Sequence, residues 1–256
     1  MKKTHLERAL PIAVILALLT LWECGVRLSN TPLYILPPPS KVILAFCTDS
    51  PALLRHGAVT LTETILGLSI AAVLASLIAL LMDAYPLFRK ACYPILVVTQ
   101  TVPVIVLAPI FIIYLGFGMA PKILIVVLMC FFPIAISFCD AMARADEKRV
   151  NLVRAMGATS WKVYTLVKIP SAAPAFFSGL RVAATYSVSG AVVGEWLSSS
   201  SGLGYYMLRV KNGYMLDKVF ASVLMVVLLS LLMNLAVQLL SNLVVKPPKK
   251  SGGRKT

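Results

Sequence analysis

Six apolar runs, each about as long as the 20 residues a helix needs to cross a bilayer, limit this 256-residue chain more than any motif does. They lie at roughly Ala9 to Leu28, Ala58 to Met82, Cys92 to Leu115, Ile123 to Cys139, Pro174 to Leu197 and Val219 to Val245. Backbone amides in hydrocarbon must be satisfied within their own segment, so runs of this length predict transmembrane helices. The expectation is an all-α polytopic membrane protein of about six spans, with residues 1–245 as one transmembrane domain. Composition agrees: 59% of residues are hydrophobic and only 13% charged, about half the charged share of a soluble domain. The first run follows MKKTHLER and could pass for a secretory signal. It is as long as a full span and lacks a clear small-x-small cleavage site, so it reads as the first helix.

The net charge of +14 raises the question of nucleic acid. The basic residues, however, occupy tails and loops between apolar runs, the distribution that sets orientation in a membrane. With the N-terminus inside, sixteen of the 24 Lys and Arg residues fall on the cytosolic side, which places both termini there. The tail KPPKKSGGRKT, over residues 246–256, is Pro-, Gly- and Lys-rich and is expected to be disordered beside an anionic leaflet.

The longest polar interruption, residues 144–173, is RADEKRVNLVRAMGATSWKVYTLVKIPSAA. Its excess of basic residues assigns it to the cytosol. Asp146 and Glu147 suit a helix start, Gly157 a helix end, Thr159 or Ser160 a second start, and Pro170 a stop. Two short helices joined by a turn follow. Periodicity alone equally allows a hairpin lying on the headgroups, with Trp161, Tyr164 and Lys168 on one face.

The spacing of Gly157, Trp161, Ile169-Pro170 and Pro174 resembles the cytoplasmic loop of permease subunits of ABC importers, where such a hairpin docks on the ATP-binding subunit. Where that family often has Glu-Ala-Ala, this chain has Asn151, Leu152 and Val153. Pro-Ser-x-x-Ile after the first run and Ser201-Gly202-Leu203-Gly204-Tyr205 after the fifth are similar to the nitrate, sulfonate and taurine group. The Val182 to Tyr206 stretch also resembles permeases for thiamine-pyrimidine precursors. The resemblance implies that Asn151, Ala155, Gly157, Trp161, Tyr164 and Pro170 form the coupling loop. It further implies a second permease copy forming a homodimer, ATP-binding subunits beneath, and an extracytoplasmic solute-binding protein above. The setting would be a bacterial inner or plasma membrane, with lipid around the spans and no nucleic acid. No Gly-x-x-x-x-Gly-Lys-Ser/Thr run occurs, so ATP would be bound by the partner and this chain would hold no cofactor.

Polar residues inside apolar runs are expensive and mark candidate pathway positions: Glu63, Gln100 and, ending the fifth run, Glu195. In that fifth run Gly179, Ala183, Ser187 and Ala191 recur every four residues, a spacing that lets helices approach closely. The stripe fits either a permease–permease interface or pathway wall, or packing inside one subunit. Pro103 and Pro109 in the third run and Pro133 in the fourth are expected to kink their helices. Ser40 is expected to cap an amphipathic helix starting near Lys41.

A membrane-embedded enzyme and a secondary transporter are the rival classes. The only histidines, His5 and His56, sit near water-facing positions, and the carboxylates look scattered with no close pair at depth. Five cysteines without Cys-x-x-Cys spacing support neither a disulfide framework nor a metal site. No catalytic, cofactor-binding or metal-ligating residue is therefore assigned.

Overall fold

The computed structural model describes residues 2–245; the tail over 246–256, expected to be disordered, lies outside them. Every regular element among the described residues is helical. In chain order these are α1 (Lys2–Leu28), α2 (Pro39–Thr48), α3 (Ser50–Ala84), α4 (Pro86–Thr99), α5 (Val104–Leu115) and α6 (Met119–Ala143). After them come α7 (Glu147–Ala155), α8 (Ser160–Val163), α9 (Ile169–Ser198), α10 (Leu203–Asn212) and α11 (Leu216–Val244). Five helices are long and apolar enough to cross a membrane, and the α4–α5 pair makes a sixth span if counted as one.

That pair corrects the third run, which is not one kinked helix. α4 and α5 meet at a bend of 100°. Three local effects converge there. Pro103 offers no N–H and pushes Val102 out of the helical region. Thr99 and Thr101 turn their hydroxyls onto the carbonyls of Ile95 and Val98, at 2.8 and 2.7 Å, so the polar groups near the break are satisfied locally. Pro109 and Pro133, by contrast, lie inside α5 and α6, which run on through them. α6 is longer than its apolar run, starting at Met119 within the preceding turn.

The chain divides into two compact units. In the first, formed by the chain up to Val59 with Ser200–Leu228, the N-terminal helix leads to α2. Here Ser40 does not cap. Pro39 occupies the first turn instead, and the Ser40 backbone N–H and hydroxyl both donate to Glu23 of α1, at 3.0 and 2.8 Å. Glu23 also accepts from Arg27 at 2.6 Å. The Ser-Gly-Leu-Gly-Tyr run opens α10, where the Gly202 N–H donates to His56 Nδ1 at 3.1 Å. His56 is buried and stacks obliquely near Tyr205 and Tyr206, so it is a structural residue and not a water-facing one. Tyr206 donates its hydroxyl to Asp49, which also pairs with Lys218 at 3.0 Å. The Tyr206 hydrogen bond, seconded by Lys218, holds the Asp49 carboxyl below its usual range. Burial and Asp49 push the Tyr206 phenol up.

The second unit comprises Thr60–Ser199 and the chain from Leu229 on. Its centre is the pairing of α6 with α9. The small stripe makes that pairing possible: Gly179, Ala183, Ser187 and Ala191 are all buried. A Cβ on Gly179 would fall 2.6 Å from the Pro133 carbonyl oxygen, so only hydrogen fits there. The Ala183 carbonyl accepts from the Cys130 thiol at 3.3 Å. Within the subunit the stripe therefore packs on α6. Ala79 and Met82 of α3, Phe138 and Met142 of α6 and Ala172 of α9 close the core at the other end.

Candidate coupling surface and solute pathway

The segment between α6 and α9 is built from its caps. Asp146 starts α7, its carboxylate accepting from the Lys148 N–H at 2.9 Å. At the far end Gly157 takes φ +83, and two bonds close the turn: Gly157 N–H to the Arg154 carbonyl and Ala158 N–H to the Val153 carbonyl, at 2.9 and 3.2 Å. This is a Schellman motif, which needs the left-handed residue that glycine supplies without strain. α8 then starts at Ser160 after an extended Thr159, with no side-chain cap.

Pro170 does not stop the second helix. A widened π turn at Tyr164–Lys168 precedes it, with the Ile169 N–H reaching back five residues to the Tyr164 carbonyl. Proline lacks the N–H that a regular turn would need and its ring crowds the carbonyl four residues earlier; the wider turn relieves both. The chain therefore continues directly into α9.

The hairpin has its own small core of Val150, Val163 and Val167. Its outer rim is apolar and uncovered, with Leu152, Met156 and Trp161 at 62, 78 and 72% exposure. Asn151, Ala155, Gly157 and Pro170 are exposed as well. Tyr164 goes the other way. Its hydroxyl donates to Asp83 at the end of α3 at 2.7 Å, and Lys168 pairs with the same carboxylate at 2.6 Å. Tyr164 thus ties the hairpin to α3, whereas Trp161 stays free to meet another surface. Replacing Gly157 by valine should cost about 1–2 kcal/mol at the turn, because a left-handed β-branched residue is strained. The measurable result is a protein that reaches the membrane but loses stimulation of a bound ATPase; full stimulation would show the turn to be dispensable.

The second feature is a cavity of about 380 Å³ at the α4–α5 break. Gln100, Pro103, Met129, Phe132 and Tyr186 are in its wall. Gln100 is thus placed at a cavity, as a polar residue at depth would require.

Glu63 and Glu195 do not line it. They meet elsewhere, in a buried cluster drawn from α3, α6 and α9. Lys122 pairs with Glu63 and donates to the Ser199 hydroxyl at 3.2 Å, while the Thr60 hydroxyl donates to Glu195 at 2.6 Å. Glu63 and Glu195 are 0 and 1% exposed. The scattered-carboxylate expectation is corrected here: residues 132 positions apart are brought to one site by helix packing. Lys122, which reads as a loop charge, was the missing partner. The available signal was that two apolar runs each carried a carboxylate needing a cation.

Residues 67–246 match the family described as binding-protein-dependent transport system inner membrane component. The chain belongs to that family. It is a permease, a transport subunit of an ABC importer that carries out no enzymatic step. Members work with an ATP-binding subunit and a solute-binding protein. The permease is 36% identical to a formylaminopyrimidine transport permease of Halalkalibacterium halodurans, covering 86% of this chain and 88% of that one. It is 31% identical to a riboflavin transport permease of Chloroflexus aurantiacus, over 76 and 73% of the two chains. It is also 26% identical to the taurine transport permease of Escherichia coli, over 86 and 82%. Its fold matches an inward-facing methionine ABC transporter at a TM-score of 0.59 and 18% identity, covering 76% of this chain and 95% of that one. The all-helical reading, with five to six candidate spans among the described residues, and the membrane setting hold for this permease.

Proposed function

We propose that the permease pairs with a second copy of itself and opens a pathway for a small solute handed over by an extracytoplasmic binding protein. Both termini and the α7–α8 hairpin face the cytosol, and the segment around α10 faces outside. The observation that carries this reading is the uncovered rim of Leu152, Met156 and Trp161 on an otherwise tied-down hairpin. Exposed apolar groups at a capped turn fit a docking surface for the ATP-binding subunit. Closure of two such subunits around ATP would push on the hairpin. Because α8 runs through the π turn into α9, and Tyr164 and Lys168 bind α3, that push passes to the helices that wall the cavity. A second copy is supported by the exposure of Gln100 and Ile105 at the cavity, which another chain would cover.

The solute class is a heterocycle related to thiamine-pyrimidine precursors, in preference to taurine, sulfonate or nitrate. Relatives named for formylaminopyrimidine and riboflavin transport are 36 and 31% identical, against 26 and 28% for those named for taurine and aliphatic sulfonates. Orientation is tested by Ser200→Cys in a background freed of the five native cysteines. Labelling of intact cells by a membrane-impermeant maleimide is the expected result. Labelling only after permeabilisation would invert the topology and remove the hairpin from the ATPase side.

A further inference from the structure

We infer that the cavity at the α4–α5 break is a binding site in the pathway for a neutral, planar heterocycle carrying an amino group beside a ring nitrogen, and that it disfavours small anions. The inference rests on the permease reading above and adds the chemistry of the site. At about 380 Å³ the cavity lies within the roughly 300–1,000 Å³ of small-molecule sites.

Three properties of the wall select the ligand. First, no Lys, Arg, His, Asp or Glu lines it. A sulfonate or carboxylate entering would shed water and find no counter-charge, a penalty that a neutral ring avoids. The cation on neighbouring α6, Lys122, is already engaged by Glu63 and Ser199. Second, the apolar part is suited to a flat ring. Phe132 and Tyr186 present aromatic groups, Met129 a polarisable thioether, and Pro103 and Pro133 rigid apolar surface. Third, the polar groups are few. The Gln100 amide and the Tyr186 hydroxyl make no hydrogen bond to another described residue and are available to a ligand. A glutamine amide offers a donor and an acceptor side by side, which matches an exocyclic amine next to a ring nitrogen.

The break between α4 and α5 serves the same end. An unbroken helix would carry Gln100 along its own axis, whereas the 100° bend frees the segment 100–103 to form part of the wall. Helix interruptions at membrane depth persist where they line a cavity.

The test uses the permease assembled with its ATP-binding subunit in lipid nanodiscs and without the binding protein, whose own selectivity would mask that of the cavity. Saturation-transfer NMR is recorded with two probes, a hydroxymethyl-substituted aminopyrimidine and ethanesulfonate. The expected result is transfer to the pyrimidine ring protons, none to ethanesulfonate, and an affinity about tenfold weaker in Gln100→Leu. Tyr186→Phe should weaken it as well. Gln100 is exposed, so its replacement removes no core contact, and the circular dichroism and thermal midpoint of each assembled variant serve as the control for folding. Transfer to ethanesulfonate instead, transfer to neither probe, or a pyrimidine signal indifferent to both substitutions would overturn the inference while leaving the permease reading in place. A permease that captures no ATP-binding subunit would overturn that reading itself.

Discussion

Lys122→Met should destabilise the permease by about 3–5 kcal/mol, the cost of leaving a buried carboxylate without its partner. For a chain of this size that is a fall in thermal midpoint on the order of 10 °C. Lys122 and Glu63 have side chains only 6 and 0% exposed, so water cannot replace the lost ammonium. Glu195 lies in the same buried cluster, accepting from the Thr60 hydroxyl. The informative companion is the double variant Glu63→Gln, Lys122→Met, which removes both charges and should recover at least half of the loss. Unfolding of the detergent-purified protein, followed by circular dichroism, provides the readout. A single variant as stable as the parent would mean that Glu63 is held by something other than Lys122. A double variant no better than the single would mean that the pair matters through its shape and not its charge.

The second large effect belongs to the hairpin. Trp161→Ala should weaken binding of the ATP-binding subunit by about 2 kcal/mol, roughly thirtyfold, since exposed aromatic anchors dominate such interfaces. The exposed cation beside it, Lys162, should cost less than about 1 kcal/mol when replaced by alanine. Tyr164 separates the two ways a loop residue can matter. Its hydroxyl is spent on Asp83, so Tyr164→Phe should cost the hairpin about 1 kcal/mol of anchorage without removing a docking group. Titration of the purified ATP-binding subunit against each variant distinguishes them. Equal affinities for the parent and Trp161→Ala would place the indole among lipid headgroups, the other setting in which tryptophan gathers.

Comparing Tyr164 with Trp161 shows how far residue patterns reach. Both lie in one short segment and both are aromatic, so spacing assigns them the same role. Which of them points outward depends on Asp83, 81 positions earlier and invisible to any local pattern. Gly157 is the opposite case. A left-handed turn between two helices is a property of a few adjacent residues, and the Schellman bonds form as the spacing of Asp146, Gly157 and Ser160 requires.

The same division runs through the rest of the chain. Span number and the existence of a polar hairpin are legible because hydrocarbon penalises every unsatisfied backbone group, and a penalty applied residue by residue leaves a one-dimensional trace. Pro103 announced a disturbance in the third run, but a 100° break in place of a kink depended on the neighbouring threonines and on the cavity available to the freed segment. Likewise Pro170 has the chemistry of a helix stop, but the π turn Tyr164–Lys168, both ends of which bind Asp83 of α3, accommodates its missing N–H and its ring. The stripe of small residues foretold a close helix contact. Its partner, α6, was settled by the fit of Gly179 to Pro133. The meeting of Glu63, Lys122 and Glu195 is the clearest limit. Each is an isolated ionisable residue at the edge of or within an apolar run, and only packing three distant helices side by side brings Lys122 to Glu63 and the Thr60 hydroxyl to Glu195.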